Sequence, residues 1–281
     1  MKRISLLAAV SILLSSQAFA GGPWLKSTAA AQKKAKETNQ LIFVDLFADW
    51  CGWCHRMEQE VFPSQVFQSA TENMVLLRLN TEDQGEGTKF AQQLSVNSLP
   101  TFLVVTHDLT IAGIIKGYAP PNQFVQSLAE VQTKYAEFLK KVKAEGTFGK
   151  DYQKRLDLAR EFTQRSAYSQ SEPRLRKLID DKAVPAAIRD QAYYELGVAQ
   201  VMQKKYEDAK KTLTAFGKVQ TKGEPFERSR LLLGQIYLDQ GNLLGAANEF
   251  RSFKLSYPNS PLIRNVDMVL PTIERQLAAR K

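Results

Sequence analysis

The feature that most constrains this chain is a pair of cysteines, two residues apart, directly after a predicted buried strand. Cys51 and Cys54 are the only cysteines in 281 residues. A disulfide between them would close a loop too small to stabilise a fold, so a purely static bridge is disfavoured. The preceding run at 41–47, LIFVDLF, is apolar except for one aspartate, as in a strand buried on both faces. The pair therefore indicates chemistry at a strand-to-helix junction.

A helix is predicted from Trp50 to Val61, with the cysteines at its start. A thiol in that position faces the positive end of the helix dipole, which favours the thiolate. We therefore expect Cys51 to be the exposed nucleophile that forms a transient disulfide with a substrate. Cys54, about one helical turn further in, would then displace the substrate. This chemistry needs no cofactor other than the Cys51–Cys54 disulfide.

The rest of the first half alternates between strand and helix patterns. Strands are predicted at 41–47, 74–79, 101–105 and 109–115, and helices at 50–61, 88–94 and 122–144. Such an order indicates an α/β fold with a central mixed sheet flanked by helices. The run GTFGK at 146–150 marks a predicted boundary, which gives a first domain at about 22–146.

The sequence beyond residue 150 repeats itself. Leu196-Gly197, Tyr206, Ala209, Leu213 and Phe216 recur 37 residues later as Leu233-Gly234, Leu243, Ala246, Phe250 and Phe253. A weaker copy starts 38 residues upstream at Leu158. The pattern resembles the tetratricopeptide repeat, in which paired helices pack closely. We therefore predict an all-α repeat domain at 150–281, with an ordinary helical bundle as the alternative.

Residues 35–135 resemble the thioredoxin superfamily beyond the cysteine spacing alone. Trp50 precedes the first cysteine, and Asp45 stands six residues before it, where thioredoxins keep a buried acid. The segment Ser98-Leu99-Pro100-Thr101 is similar to the cis-proline loop of that family, and Gly117 also fits. The resemblance implies a thioredoxin-like fold and a thiol–disulfide oxidoreductase that acts on the disulfides or thiols of protein substrates.

The run from ADWC through Glu58 to Phe62 is similar to the C-terminal thioredoxin-like domain of the membrane reductant conductor DsbD and to related exported thioredoxin-like proteins. That likeness implies a reducing role and a membrane electron donor. Gly52-Trp53 stands where thioredoxin has Gly-Pro, and Leu99 replaces an isoleucine. These departures leave the redox potential open, so a disulfide oxidase or isomerase is the alternative.

The resemblance also assigns roles around the cysteines. Asp45, desolvated in an apolar strand, is expected to have a raised pKa and to take the proton from Cys54; the alternative is a structural acid. Candidate substrate-binding residues are Trp50, Gly52, Trp53, Leu99 and Pro100.

Three charged neighbours are candidates for tuning the thiol pKa values. His55 can lower the pKa of Cys51 when it is protonated, or can simply face solvent. Glu58 can tune Cys54 or cap the helix surface. Arg78 aligns with a lysine that pairs with the buried acid of thioredoxin, although a plain charged residue at a strand edge is the favoured interpretation.

The N-terminus predicts export. A basic start at Lys2 and Arg3, an apolar stretch at 4–14 and Ala18-Phe19-Ala20 are typical of a cleaved signal peptide at 1–20, which would place a soluble protein in the periplasm. Residues 140–281 carry 27 Lys and Arg against 17 Asp and Glu. Nucleic acid is a poor partner for an exported chain without aromatic–basic clusters. Solvated helix surfaces explain the charge best, ahead of an acidic partner or an anionic membrane.

Two other functional classes remain open at this point. Cys51-Gly-Trp-Cys54-His55 also fits the C-x-x-C-H signature of covalent haem attachment. Alternatively, the chain is an adaptor whose repeats bind a peptide or protein partner while the first domain serves only as a fold. A metal site is not expected, because only two histidines accompany the two cysteines.

Overall fold

The computed structural model describes residues 23–94 and 96–279, so the predicted signal peptide lies outside the described residues. Four strands are present: β1 Leu41–Phe47, β2 Met74–Asn80, β3 Thr101–Val105 and β4 Ile111–Lys116. The first five α-helices are α1 Thr28–Thr38, α2 Gly52–Arg56, α3 Gln65–Thr71, α4 Glu86–Gln93 and α5 Pro121–Ala144. The remaining α-helices are α6 Tyr152–Gln164, α7 Tyr168–Asp180, α8 Ala186–Met202, α9 Tyr206–Val219, α10 Glu224–Asp239, α11 Leu243–Ser256 and α12 Ile263–Ala278.

The four strands form one mixed sheet in the order β2-β1-β3-β4. Strand β1 pairs in parallel with β2 and antiparallel with β3, so it lies in the interior of the sheet. Five consecutive residues of β1, 42–46, are buried, as the apolar run predicts. The mixed sheet with accompanying helices, followed by a helical region, confirms the predicted fold class.

Two predicted elements begin two residues too early. The helix predicted from Trp50 begins at Gly52, because Cys51 has an extended backbone and serves as the N-cap. It then widens into a π-helical turn at Met57–Val61. The strand predicted from Leu109 begins at Ile111, because Leu109 has a φ of 64° in the preceding turn.

Two helices have no counterpart in the sequence-based prediction. Helix α1 buries only two small side chains, Ala31 and Ala35, so it shows no large apolar residues at helical spacing. Helix α3 spans only seven residues and is recognisable mainly by its cap, where Ser64 Oγ accepts a hydrogen bond from Phe67 N.

The described chain forms two compact units. The first comprises residues up to Asp108 together with 114–131, and the second comprises 109–113 and everything from Gln132. Helix α5 therefore contributes its first half to one unit and its second half to the other. The predicted domain boundary at 146–150 stays a prediction.

The second unit contains three successive helix pairs, α6–α7, α8–α9 and α10–α11, and ends with α12. The sequence repeat has a direct physical basis here. A Cβ atom on Gly197 would lie 2.6 Å from a methyl group of Leu213, and one on Gly234 would lie 2.4 Å from the ring of Phe250. In both pairs the glycine on the first helix stands 16 residues before the large side chain on the second. The glycines therefore allow each pair to pack at close range.

Substituting Gly234 with alanine should destabilise the repeat domain by about 1–3 kcal/mol, because the buried ring of Phe250 must move to admit a methyl group. Gly217 in α9 is a matched control: a Cβ there meets Phe226 at an ordinary 3.5 Å. Gly217→Ala should be neutral or stabilising, since alanine is the better helix former by about 1 kcal/mol. Urea unfolding of both variants measures the difference, and equal effects would argue against the close-packing account.

Candidate active site

The two cysteines form a disulfide at the start of α2, directly after β1. The Cα atoms of Cys51 and Cys54 are 5.2 Å apart. Cys51 Sγ accepts a hydrogen bond of 3.2 Å from the backbone N–H of Cys54. The first sulfur therefore lies where the helix presents unpaired N–H groups, as the sequence predicts, and the structure records the oxidised state of the pair.

The expectation that Cys51 is exposed is wrong for this oxidised state. Cys51 is 3% exposed and Cys54 is 2% exposed. Ala48, Phe47 and Leu99 pack against the two cysteines. Since each sulfur is bonded to the other and covered by these side chains, the disulfide is nearly enclosed. Access to Cys51 therefore depends on reduction of the bond or on movement of the residues around it.

The loop before β3 places Leu99 beside the disulfide, and Pro100 follows it in the chain. Leu99 contacts the cysteine cluster directly, and the Leu99–Pro100 peptide bond is cis. Thr101 Oγ1 donates a hydrogen bond of 2.7 Å to the Ser98 carbonyl. The Pro100 carbonyl accepts a 2.9 Å hydrogen bond from Gly117 N. The loop is thus held from both sides, and the site contains the proline segment that the resemblance implies.

Asp45 is a buried acid in the strand that leads to the cysteines. It is 1% exposed, and Arg78 stands opposite it on β2. Arg78 Nε lies 3.0 Å from Asp45 Oδ2 as an ion pair, without the alignment of a hydrogen bond. Burial is the main cause that raises the pKa of Asp45 to about 7. The positive charge of Arg78 lowers this pKa, and the negative charge of Glu58 raises it further. Asp45 Oδ1 has no hydrogen-bond partner within the described residues, so it is a free acceptor.

Arg78 connects the buried acid to the helix of the cysteines. Its guanidinium binds Glu58 and lies 4.0 Å from the centroid of the Phe47 ring. The favoured interpretation of Arg78 as a plain charged residue at a strand edge is therefore wrong. Strand β2 pairs with β1 in a register that places Arg78 opposite Asp45, where the two side chains form an ion pair. Glu58 contacts this arginine rather than capping an open surface.

His55 is held by groups other than the cysteines. Its Nε2 lies 2.8 Å from the Asp49 carbonyl oxygen, and its Nδ1 lies 3.8 Å from Glu58 Oε1. A protonated His55 would therefore form its nearest ion pair with Glu58. The structure places this histidine in the charged network of Asp45, Arg78 and Glu58.

The two tryptophans around the cysteines are largely open to solvent. Trp50 is 69% exposed and donates a hydrogen bond of 2.8 Å from Nε1 to Glu82. Trp53, between the cysteines, is 54% exposed. A Cβ on Gly52 would meet nothing within 4 Å, so this face of the helix start is open. The structure thus surrounds an enclosed disulfide with accessible apolar surface.

Sequence reasoning missed three residues next to Trp53. The Tyr118 ring stacks on Trp53 with centroids 5.3 Å apart and an interplanar angle of 29°. The Arg56 guanidinium lies 4.9 Å from the Tyr118 centroid, and Glu60 binds both Arg56 and the Tyr118 hydroxyl. Arg56 and Glu60 are an i,i+4 pair of opposite charges, a pattern that is typical of an ordinary solvent-exposed helix face. Only the position of Tyr118 directly after Gly117 could have signalled the cluster.

The described part of the chain contains neither a metal-binding group of side chains nor a helix that could span a membrane. Within residues 23–94 and 96–279, no three His, Cys, Asp or Glu side chains come together as a metal-binding group. None of the helices described there has the length and apolar character to cross a membrane.

Comparison with known proteins identifies both parts of the chain. Residues 28–132 match the sequence profile of the thioredoxin-like domain family. Residues 191–219 and 228–260 match the profile of the tetratricopeptide repeat. The two matched repeats are the last two helix pairs, whereas the weaker upstream copy lies outside the matches.

Curated relatives of this chain include thiol:disulfide interchange proteins named DsbD. That of Haemophilus ducreyi is 29% identical over 102 residues, covering 35% of this chain and 18% of the relative. That of Pasteurella multocida is 30% identical over 105 residues, covering 36% and 18%. This chain therefore matches less than a fifth of the length of these relatives.

Two of the similar solved structures each match less than half of this chain. The C-terminal domain of Neisseria meningitidis DsbD in the oxidised form is 18% identical and covers 38% of this chain and 98% of that domain, with a TM-score of 0.34. A structure named DsbH oxidoreductase is 13% identical and covers 44% and 94%, with a TM-score of 0.35. The chain thus combines a thioredoxin-like domain at 28–132, which is related to the thiol:disulfide interchange proteins and carries a Cys-X-X-Cys disulfide, with tetratricopeptide repeats at 191–219 and 228–260.

Proposed function

We propose that this protein is an exported thiol–disulfide oxidoreductase that reduces disulfides in protein substrates. The observation that carries the proposal is the Cys51–Cys54 disulfide at the start of α2, with a buried acid of raised pKa in the preceding strand. The resemblance of the run from ADWC to Phe62 to the DsbD domain implies the reducing direction and a membrane dithiol donor. Export rests on the signal-peptide pattern of residues 1–20.

The reaction begins with the reduced pair. The Cys51 thiolate attacks a substrate disulfide, so that one sulfur–sulfur bond forms and one breaks, and the released substrate thiolate takes a proton. Cys54 then attacks the Cys51 sulfur of this mixed disulfide and releases the second substrate thiol. Two electrons pass to the substrate, and the protein is left in the oxidised state that the structure records. A dithiol donor must return these two electrons before the next cycle.

Asp45 is the group proposed to take the Cys54 proton during the second step. A base is most useful when its pKa lies near the working pH, and burial brings that of Asp45 to about 7. Its free Oδ1 is available as an acceptor, while Oδ2 faces Arg78. If both carboxylate oxygens of Asp45 were fully hydrogen-bonded, the alternative role of a structural acid would be favoured instead.

The repeats are proposed to hold a polypeptide partner of the first domain. In the second unit a cavity of about 300 Å³ opens among α8, α10, α11 and α12. Its lining combines apolar groups with a few polar ones, including Tyr194, Arg228, Leu231 and Val269. Such a surface suits a peptide with an apolar side chain. If the protein is instead a pure adaptor, its partner should bind equally well after Cys51→Ser.

The redox potential tests the proposed direction. Equilibration of the full chain with glutathione buffers, followed by thiol labelling and mass measurement, should give a potential near the thioredoxin value of about −270 mV. A value near that of strong oxidants, about −120 mV, would contradict the reducing role and favour an oxidase. A Soret absorption band of the purified protein would instead establish the haem alternative at Cys51-Gly-Trp-Cys54-His55.

A further inference from the structure

The residues on which Trp53 rests form a fixed cluster. Trp53 stacks on Tyr118, and the Arg56 guanidinium lies 5.6 Å from the Trp53 centroid and 4.9 Å from that of Tyr118. Glu60 holds the arrangement, because its two carboxylate oxygens bind Arg56 Nε at 2.7 Å and the Tyr118 hydroxyl. These two bonds lower the pKa of Glu60, so it remains ionised and bound.

This cluster adjoins the disulfide through two connections of the chain. Trp53 stands between the two cysteines, so its backbone is part of the ring that they close. Tyr118 follows Gly117, whose N–H bonds the Pro100 carbonyl, and the loop of Pro100 carries Leu99 onto the disulfide. Gly117 has a φ of +80°, a backbone conformation that favours glycine, and Tyr118 is the next residue in the chain. Trp53 and Tyr118 are therefore each connected through the backbone to residues at the disulfide.

The cluster presents an exposed aromatic ring beside two charges that pair with each other. The two charges satisfy each other, since Arg56 and Glu60 form an ion pair, while Trp53 keeps 54% of its surface exposed. Aromatic rings that are already fixed lose little conformational entropy when they bind a ligand. An exposed aromatic face that is held by ring stacking beside a nearly enclosed disulfide is suited to orienting an incoming chain.

We propose that Tyr118 is a specificity-determining residue: together with Trp53 it forms an aromatic platform that binds an apolar side chain next to the substrate cysteine. This inference rests on the proposed function. It predicts a preference for polypeptide disulfides flanked by apolar residues, independent of which membrane donor supplies the electrons.

The test uses three synthetic peptides, each with one cysteine in a mixed disulfide with glutathione and with Leu, Ser or Glu beside that cysteine. The reduced full chain transfers two electrons to each probe and releases the peptide thiol and glutathione. The wild-type kcat/KM should be about 10-fold higher for the Leu peptide than for the Ser peptide, as one well-bound apolar group allows. In Tyr118→Ala the ratio should fall to about 1, mainly through KM. Tyr118→Phe keeps the ring and should keep the preference within about 3-fold.

Ile114→Ala is the matched control, because it removes an apolar side chain that is 44% exposed on β4. It should keep the wild-type ratio. A preference for the Glu peptide would identify Arg56 rather than the rings as the recognition group and would overturn the inference. Equal losses for all three peptides in Tyr118→Ala, or a changed redox potential, would show a structural role and would also overturn it. If wild type reduces hydroxyethyl disulfide but does not distinguish the peptides, only this inference fails; if it reduces no probe, the proposed function fails with it.

Discussion

A Cys54→Ser variant should accumulate as mixed disulfides that join Cys51 to substrate proteins. Without the second sulfur, nothing within the protein can displace the captured substrate, so the intermediate of the proposed reaction persists. Nonreducing gels of an exporting host should show adducts that disappear on addition of dithiothreitol. Mass spectrometry of these adducts would identify the substrates.

Cys51→Ser provides the control for this trap. It removes the attacking sulfur, so it should form no adducts and should lower the rate of disulfide exchange by about 10³-fold or more. The double variant should match Cys51→Ser. Adducts that form equally well through Cys54 in the absence of Cys51 would contradict the assigned order of attack.

Asp45→Asn should stabilise the oxidised protein at high pH and slow the resolution of mixed disulfides. A carboxyl group with a higher pKa in the folded state than in the unfolded chain binds its proton more tightly when folded. Its ionisation therefore destabilises the fold progressively as pH rises from about 4, the unfolded value, to about 7, and the full cost applies above that. At about 1.4 kcal/mol per pKa unit, the variant should gain up to about 4 kcal/mol at pH 8.

The pH dependence distinguishes this effect from a simple change of packing. The stability gain of Asp45→Asn should shrink steadily below pH 7 and vanish near pH 4, as measured by urea unfolding across the range. Asp49→Asn, at an exposed position two residues beyond β1, should change stability by less than about 0.5 kcal/mol. A pH-independent gain would show that Asp45 is not the titrating group. A loss of about 10² in the rate at which Cys54 releases substrate would support the role as base.

The sequence predicts features that depend on local chemistry or on repetition. Cys51 and Cys54 reveal the junction of strand and helix because their spacing has few other uses. Gly197 and Gly234 reveal the repeats because a contact that excludes a Cβ atom recurs at a fixed interval. In each case the physical constraint acts on residues that are close in the sequence or are copied along it.

Features that depend on contacts between distant segments could not be predicted in this way. The ion pair of Arg78 with Asp45 requires the register of β1 against β2, which the strand patterns do not specify. Tyr118 meets Trp53 only after a loop, a strand and a glycine turn have been placed. The near enclosure of the disulfide likewise depends in part on Leu99, which lies 48 residues after Cys51.

Cys51, enclosed in the oxidised structure, is expected to become the reactive sulfur when the bond is reduced. Brief treatment of the reduced, folded full chain with iodoacetamide, followed by peptide mapping, tests this most directly. Cys51 should be alkylated first, while Cys54 should react only after unfolding in urea. Labelling of Cys54 before Cys51, or of neither cysteine in the folded protein, would contradict it.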